Sequence, residues 1–212
     1  MAYNLEEQEQ LESLKAFWNR YGTFLITVLA IVALSIAGWR GWGWYQQHQT
    51  TQAAGLYEDL RHATEAHDIE RVRAVAGQIF EKYGRTAYGP MAALMAAHAY
   101  QQADDGKAAK IPLQWLIERS GDTAFGLVAR LRLAAILLDD GQWDEGLKAL
   151  DTRSPAGFAA LFEDRRGDLL AGAGRRDEAR AAYERALAAL APDSTLRGIV
   201  QLKRDALGGA SA

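Results

Sequence analysis

The chain has 212 residues, with 24% charged and 49% hydrophobic side chains and a net charge of −3. That balance is too apolar for a disordered chain and carries no basic stripe able to neutralise a run of phosphates, so nucleic acid is not an expected partner. Cysteine is absent, which excludes disulfides, thiolate metal sites and cysteine nucleophiles.

The first twenty residues are acidic, with Glu6, Glu7, Glu9 and Glu12 against Lys15 and Arg20. Leu11, Leu14, Phe17 or Trp18, and Tyr21 recur at helical spacing, so residues 1–20 read either as a short amphipathic helix or as a solvated acidic segment. From Tyr21 to Trp39 nineteen residues carry no charge, and Phe24 to Ile36 is almost wholly Leu, Ile, Val, Ala and Phe. About 20 apolar residues cross the hydrocarbon core as a helix, so residues 21–45 are assigned as a transmembrane helix. Trp18 and Tyr21 at one end and Trp39, Trp42 and Trp44 at the other are the expected membrane-interface residues, because amphipathic rings settle at headgroup depth.

Ser35 and Ala37 would suit a signal peptidase, but the long acidic start is unlike a signal peptide, and the segment is read as a retained anchor. Lys15 and Arg20 before the span, against Arg40 after it, bias the N-terminus only slightly inward. Ala33, Ala37 and Gly41 stand four apart on the span, a spacing that lets a partner helix approach and that ordinary small-residue content also produces.

Residues 46–212 form the soluble part, with 21 Lys+Arg against 23 Asp+Glu. Apolar residues fall at helical spacing, broken by Gly, Asp and Pro, and no alternating strand pattern occurs. Leu56 to Glu65 and Ile69 to Tyr83 read as one helical pair, and Gly84 and Gly89-Pro90 end it. A second pair turns at Asp104-Asp105-Gly106, with Pro112 inside its second helix. Gly141-Gln142-Trp143-Asp144-Glu145 is echoed 33 residues later by Gly174-Arg175-Arg176-Asp177-Glu178, each between two helical stretches. A period near 34 with Gly at the turn and small residues at helix crossings is the tetratricopeptide pattern. Gly141, Trp143, Gly174, Ala179, Tyr183 and Ala186 are its turn and packing residues. Thr195 to Leu207, stopped by Gly208-Gly209, reads as a capping helix. The expected fold is all-α: one N-terminal transmembrane helix, then an α-solenoid of about three and a half to four tetratricopeptide-like hairpins with a C-terminal capping helix.

Nothing points to catalysis. His62 and His67 are five apart and off-register for a metal site, and His48 and His98 stand apart from them. The paired aspartates precede hairpin turns, and the short-spaced glycines follow no strand. No enzyme activity, metal, cofactor or small-molecule substrate is expected. A repeat domain of this kind serves as a protein-binding module, or as a brace in a membrane complex without clients of its own. If the first helix of each repeat lines the binding face, Arg130 and the residues around Leu127 and Glu163 are candidates, though the same positions also suit a plain solvated face.

The chain resembles the YfgM-like ancillary subunits of the SecYEG translocon over nearly its whole length. The carriers are the acidic start leading into Leu14-Lys15-Ala16-Phe17-Trp18, the span closing at Gly38-Trp39-Arg40, and the segments Phe158 to Leu170 and Gly174 to Tyr183. The resemblance implies a bacterial inner-membrane protein with a cytoplasmic N-terminus (residues 1–20) and a periplasmic repeat domain (46–212). It also implies work beside the Sec translocon with a membrane-anchored, prolyl-isomerase-like chaperone, receiving newly exported polypeptides.

Overall fold

A computed structural model describes residues 5–152 and 156–208, and these hold nine helices and no strand. By internal contacts the chain divides into two units, residues 1–51 and 52–212, each taken by itself below.

Helix α1 (Leu5–Glu65) makes up the described part of the first unit and then supplies the first helix of the second. From Leu11 to Thr51 its side chains are almost all exposed. The hydroxyls of Thr27 and Ser35 donate to the carbonyls of Thr23 and Ile31, each at 2.8 Å, so that neither polar group is left open along the apolar run. The helix continues through the polar residues 46–52, where Thr50 and Thr51 bond back to Gln46 and Gln47 in the same way.

The second unit is built of helical hairpins. After the end of α1 come α2 (Ile69–Tyr83), α3 (Tyr88–Gln102), α4 (Gly106–Ser120) and α5 (Ala124–Asp139). They are followed by α6 (Trp143–Ala149), α7 (Ala156–Gly172), α8 (Arg176–Ala189) and α9 (Leu196–Ala206). One turn design closes all four hairpins. His67, Asp104, Gly141 and Gly174 each take a positive φ, of 54°, 55°, 69° and 75°. In each, the next residue donates its N–H to the carbonyl five back: Asp68 to Ala63, Asp105 to Tyr100, Gln142 to Leu137, Arg175 to Leu170. The positive-φ residue itself bonds three back, to Thr64, Gln101, Leu138 and Ala171. This paired pattern is the Schellman motif, which satisfies the last carbonyls of the first helix.

The residue after the turn also starts the second helix. Asp68 and Asp105 accept hydrogen bonds from the amides of Arg71 and Ala108, whereas Gln142 and Arg175 cap without their side chains. Once the turns are aligned, the core falls into register. Four residues before each turn stand the buried Ala63, Tyr100, Leu137 and Leu170. Nine residues after it stand the buried Ala76, Leu113, Leu150 and Tyr183. Seven residues before it the series is Leu60, Ala97, Ala134 and Gly167, mostly small because helices cross there.

Pro112 sits fully buried inside α4, which runs on past it, so the second hairpin is regular. Helix α6 starts at Trp143, directly after the turn, and is only 7 residues long. Helix α9 buries Val200 against α8 and is followed by Gly208, whose φ is +83°. Its N-cap, Thr195, makes no side-chain hydrogen bond to the helix.

Candidate functional site

Two features can carry function, an apolar helix long enough to cross a membrane and the surface of the repeat unit. Tyr21 and Trp39 are eighteen residues apart, about 27 Å along a helix, and Trp18 and Trp44 about 39 Å. A hydrocarbon core of about 30 Å and a full bilayer of about 40–45 Å match those two distances. The five interface candidates Trp18, Tyr21, Trp39, Trp42 and Trp44 all project outward. The Trp18 indole lies over Gly22, Phe17 and Tyr21 are 5.1 Å apart, and Trp44 stacks on His48 at 5.6 Å. Ala33, Ala37 and Gly41 are exposed along the same helix.

The repeat residues hold hairpins together. The Trp143 indole packs over Gly172, where an added Cβ would come within 2.7 Å of its Nε1. Gly146 is pressed by Leu169 in the same way. Ala179 and Ala186 are fully buried, and Tyr183 lies against Gly167 with its hydroxyl donating to Asp168 at 2.9 Å. Lys203 of α9 reaches Asp164 and Asp168 at 2.9 Å, tying the last helix to α7.

Of the positions named for a binding face, one is buried and two are partly buried and bonded within the unit. Leu127 is fully buried. Arg130 donates to the Ala149 carbonyl at 3.1 Å, and Glu163 is held by Arg166 at 3.1 Å and Arg185 at 2.7 Å. What the first helices of the repeats leave open is a different set. A hollow of about 360 Å³ lies between α1, α3 and α5, lined by Tyr57, Met91, Leu94, Met95, His98, Phe125 and Arg132. Phe125 also lines a second hollow of about 510 Å³, over the α2–α3 and α4–α5 connections, with Arg85, Pro90, Trp115 and Arg119. There Trp115 stacks on Phe80 at 4.4 Å and carries the Arg119 guanidinium at 5.0 Å. Partial burial, with Glu58 and Tyr88 nearby, pushes the Tyr57 phenol above its usual range.

Among the described residues no cluster of His, Asp or Glu could hold a metal. His62 pairs with Glu58 at 3.3 Å, and His67 is a turn residue. Asp105 caps a helix and Asp140 binds Lys110 at 2.7 Å, so the paired aspartates do structural work.

A family model described as a tetratricopeptide repeat-like domain matches residues 15–209. The ancillary SecYEG translocon subunit of Neisseria gonorrhoeae is 31% identical over 98% of this chain and 100% of its own length. The chain belongs to this family. The like-named protein of Haemophilus influenzae is 28% identical over 88% of this chain and 91% of its own, and that of Escherichia coli 28% over 84% and 85%. No solved structure matches significantly. The matched range of the repeat-like family begins ahead of the apolar run and closes after α9, so the anchor and the repeats belong to one family pattern. A membrane-spanning helix joined to a tetratricopeptide-like solenoid is the architecture of this member of the translocon-subunit family.

Proposed function

We propose that the chain is a single-pass protein of the bacterial inner membrane that associates with the SecYEG translocon as a non-catalytic protein-binding subunit. The observation that carries this reading is the match to named ancillary translocon subunits over essentially the full chain, anchor included. In this reading residues 1–20 face the cytoplasm and the repeat unit faces the periplasm. There it works with a membrane-anchored, prolyl-isomerase-like chaperone and meets newly exported polypeptides. The support is physical as well: the repeat unit offers open hollows, one between its first helices and one over the α2–α3 and α4–α5 connections. Repeat proteins of this kind bind extended segments along such surfaces.

The test is purification of the intact protein from its native membrane in mild detergent, with identification of what accompanies it. Channel subunits together with a membrane-anchored folding factor are the expected companions. Recovery of a different complex would assign the solenoid to bracing that complex. Protease added to spheroplasts should digest the repeat unit and spare the N-terminal tail; the opposite pattern would reverse the orientation.

A further inference from the structure

We propose that the two hollows joined at Phe125 form one groove that takes an extended polypeptide segment combining aliphatic or aromatic side chains with carboxylates; this rests on the polypeptide-binding part of the reading above. The hollows are contiguous, since Phe125 lines both and Pro90 of one precedes Met91 of the other.

The apolar half of the selectivity comes from what lines the floor. Apart from Met1, the chain has two methionines, Met91 and Met95, and both lie here. Methionine is unbranched and polarisable, so it adapts to side chains of varied shape, as a site for many sequences requires. Met91 and Phe125 are 36% and 41% exposed, large apolar surfaces left open on α3 and α5, where both line the first hollow. The space, about 360 and 510 Å³, suits several side chains in a row.

The charged half comes from a local imbalance. Arg85, Arg119 and Arg132 line the groove, and neither hollow has a carboxylate in its lining. Among the described residues none of the three forms a salt bridge, whereas Arg61, Arg73, Arg166, Arg175 and Arg185 all do. Arg132 donates one N–H to the Leu94 carbonyl, and Arg119 lies on the Trp115 face, which leaves the guanidinium edge open to a carboxylate. In a protein with net charge −3, a groove lined by unpaired arginines selects acidic apolar segments over basic ones.

The experiment uses the full chain in phosphatidylcholine nanodiscs and short fluorescent peptides with the same Leu, Val and Phe residues, spaced by Glu, Ser or Lys. By anisotropy the Glu series should bind roughly tenfold tighter than the Lys series, weakening with salt. Arg85→Glu with Arg119→Glu should invert that order, and both positions are exposed, so folding is retained. On the unchanged chain, a benzophenone-bearing Glu peptide should crosslink at Met91 or Met95. Glu and Lys peptides of equal affinity, or crosslinks elsewhere, would overturn the groove while leaving polypeptide binding intact. Failure of every peptide to bind would sink both, and co-purification with the translocon would be unaffected by either result.

Discussion

Gly167 on α7 meets the face of the Tyr183 ring on α8, so closely that a Cβ on the glycine would fall inside the ring's contact distance. The same tyrosine donates its hydroxyl to Asp168, the next residue along α7. One pair thus fixes both the spacing and the rotation of the last hairpin. Gly167→Ala should destabilise the fold by about 1–3 kcal/mol through overpacking. Gly198→Ala, in open space on α9, should be neutral or stabilise by about 0.5–1 kcal/mol. Urea unfolding of the two variants checks the contrast, and equal effects would refute the packing account.

The Tyr183 phenol is held above its usual range, first by burial and then by the charges of Asp168 and Asp164. Its folded-state value therefore exceeds the unfolded one of about 10. Such a group stabilises fully below that unfolded value and loses its contribution as pH rises further, because only the unfolded chain gives up the proton. Stability should fall above about pH 10. Tyr183→Phe should make that fall shallower, though not flat, since Tyr57 and Tyr100 shift the same way. Denaturation followed from neutral to alkaline pH gives the slope.

His67 holds a left-handed turn conformation at φ 54° that its side chain disfavours. Gly141 and Gly174 do the same task without that cost. His67→Gly should raise stability by about 0.5–1 kcal/mol, read as a higher urea midpoint with unchanged slope. A drop would mean the imidazole makes a contribution that its exposed position does not indicate.

Lys203 anchors the capping helix to Asp164 and Asp168 from partly buried positions. Lys203→Ala should cost roughly 1 kcal/mol, since it removes the cation that bridges two partly buried carboxylates, of which Asp168 keeps Arg165 and the Tyr183 hydroxyl. The loss should be local: faster amide exchange in α9, with little change in α2 to α4. Uniform acceleration across the unit would show that the cap governs the whole solenoid.

Leu29 lies near the middle of the apolar run and is open to its surroundings. Leu29→Asp should raise the cost of insertion by about 3 kcal/mol. Alkaline carbonate extraction would then release a larger share of the protein from membranes. Full retention would mean that this stretch is not what holds the chain there.

The anchor and the second half of the solenoid were legible because each depends on local chemistry. An uninterrupted apolar run with rings at both ends, and two Gly-x-x-Asp-Glu turns one repeat apart, need no knowledge of distant contacts. The first two hairpins were harder to read because His67 and Asp104 stand where glycine stands later, and their spacing is 37 residues rather than 33. Only hydrogen bonding shows that all four turns are the same device. The exposed apolar surface on α3 was not foreseen for a related reason. Sequence reasoning sends large apolar side chains inward, yet on α3 the alanines at 92, 93, 96 and 97 face the core and Met91 stays exposed. Close helix crossings leave room only for small residues, so the bulk is turned outward. Likewise Leu127 was eligible for a surface by position alone, and packing against Leu150, Phe162 and Leu169 buries it. Composition and periodicity determined that this chain is an anchored helical repeat. Which side chains remain free to bind was decided by how closely the helices approach, a distance that no single helix encodes.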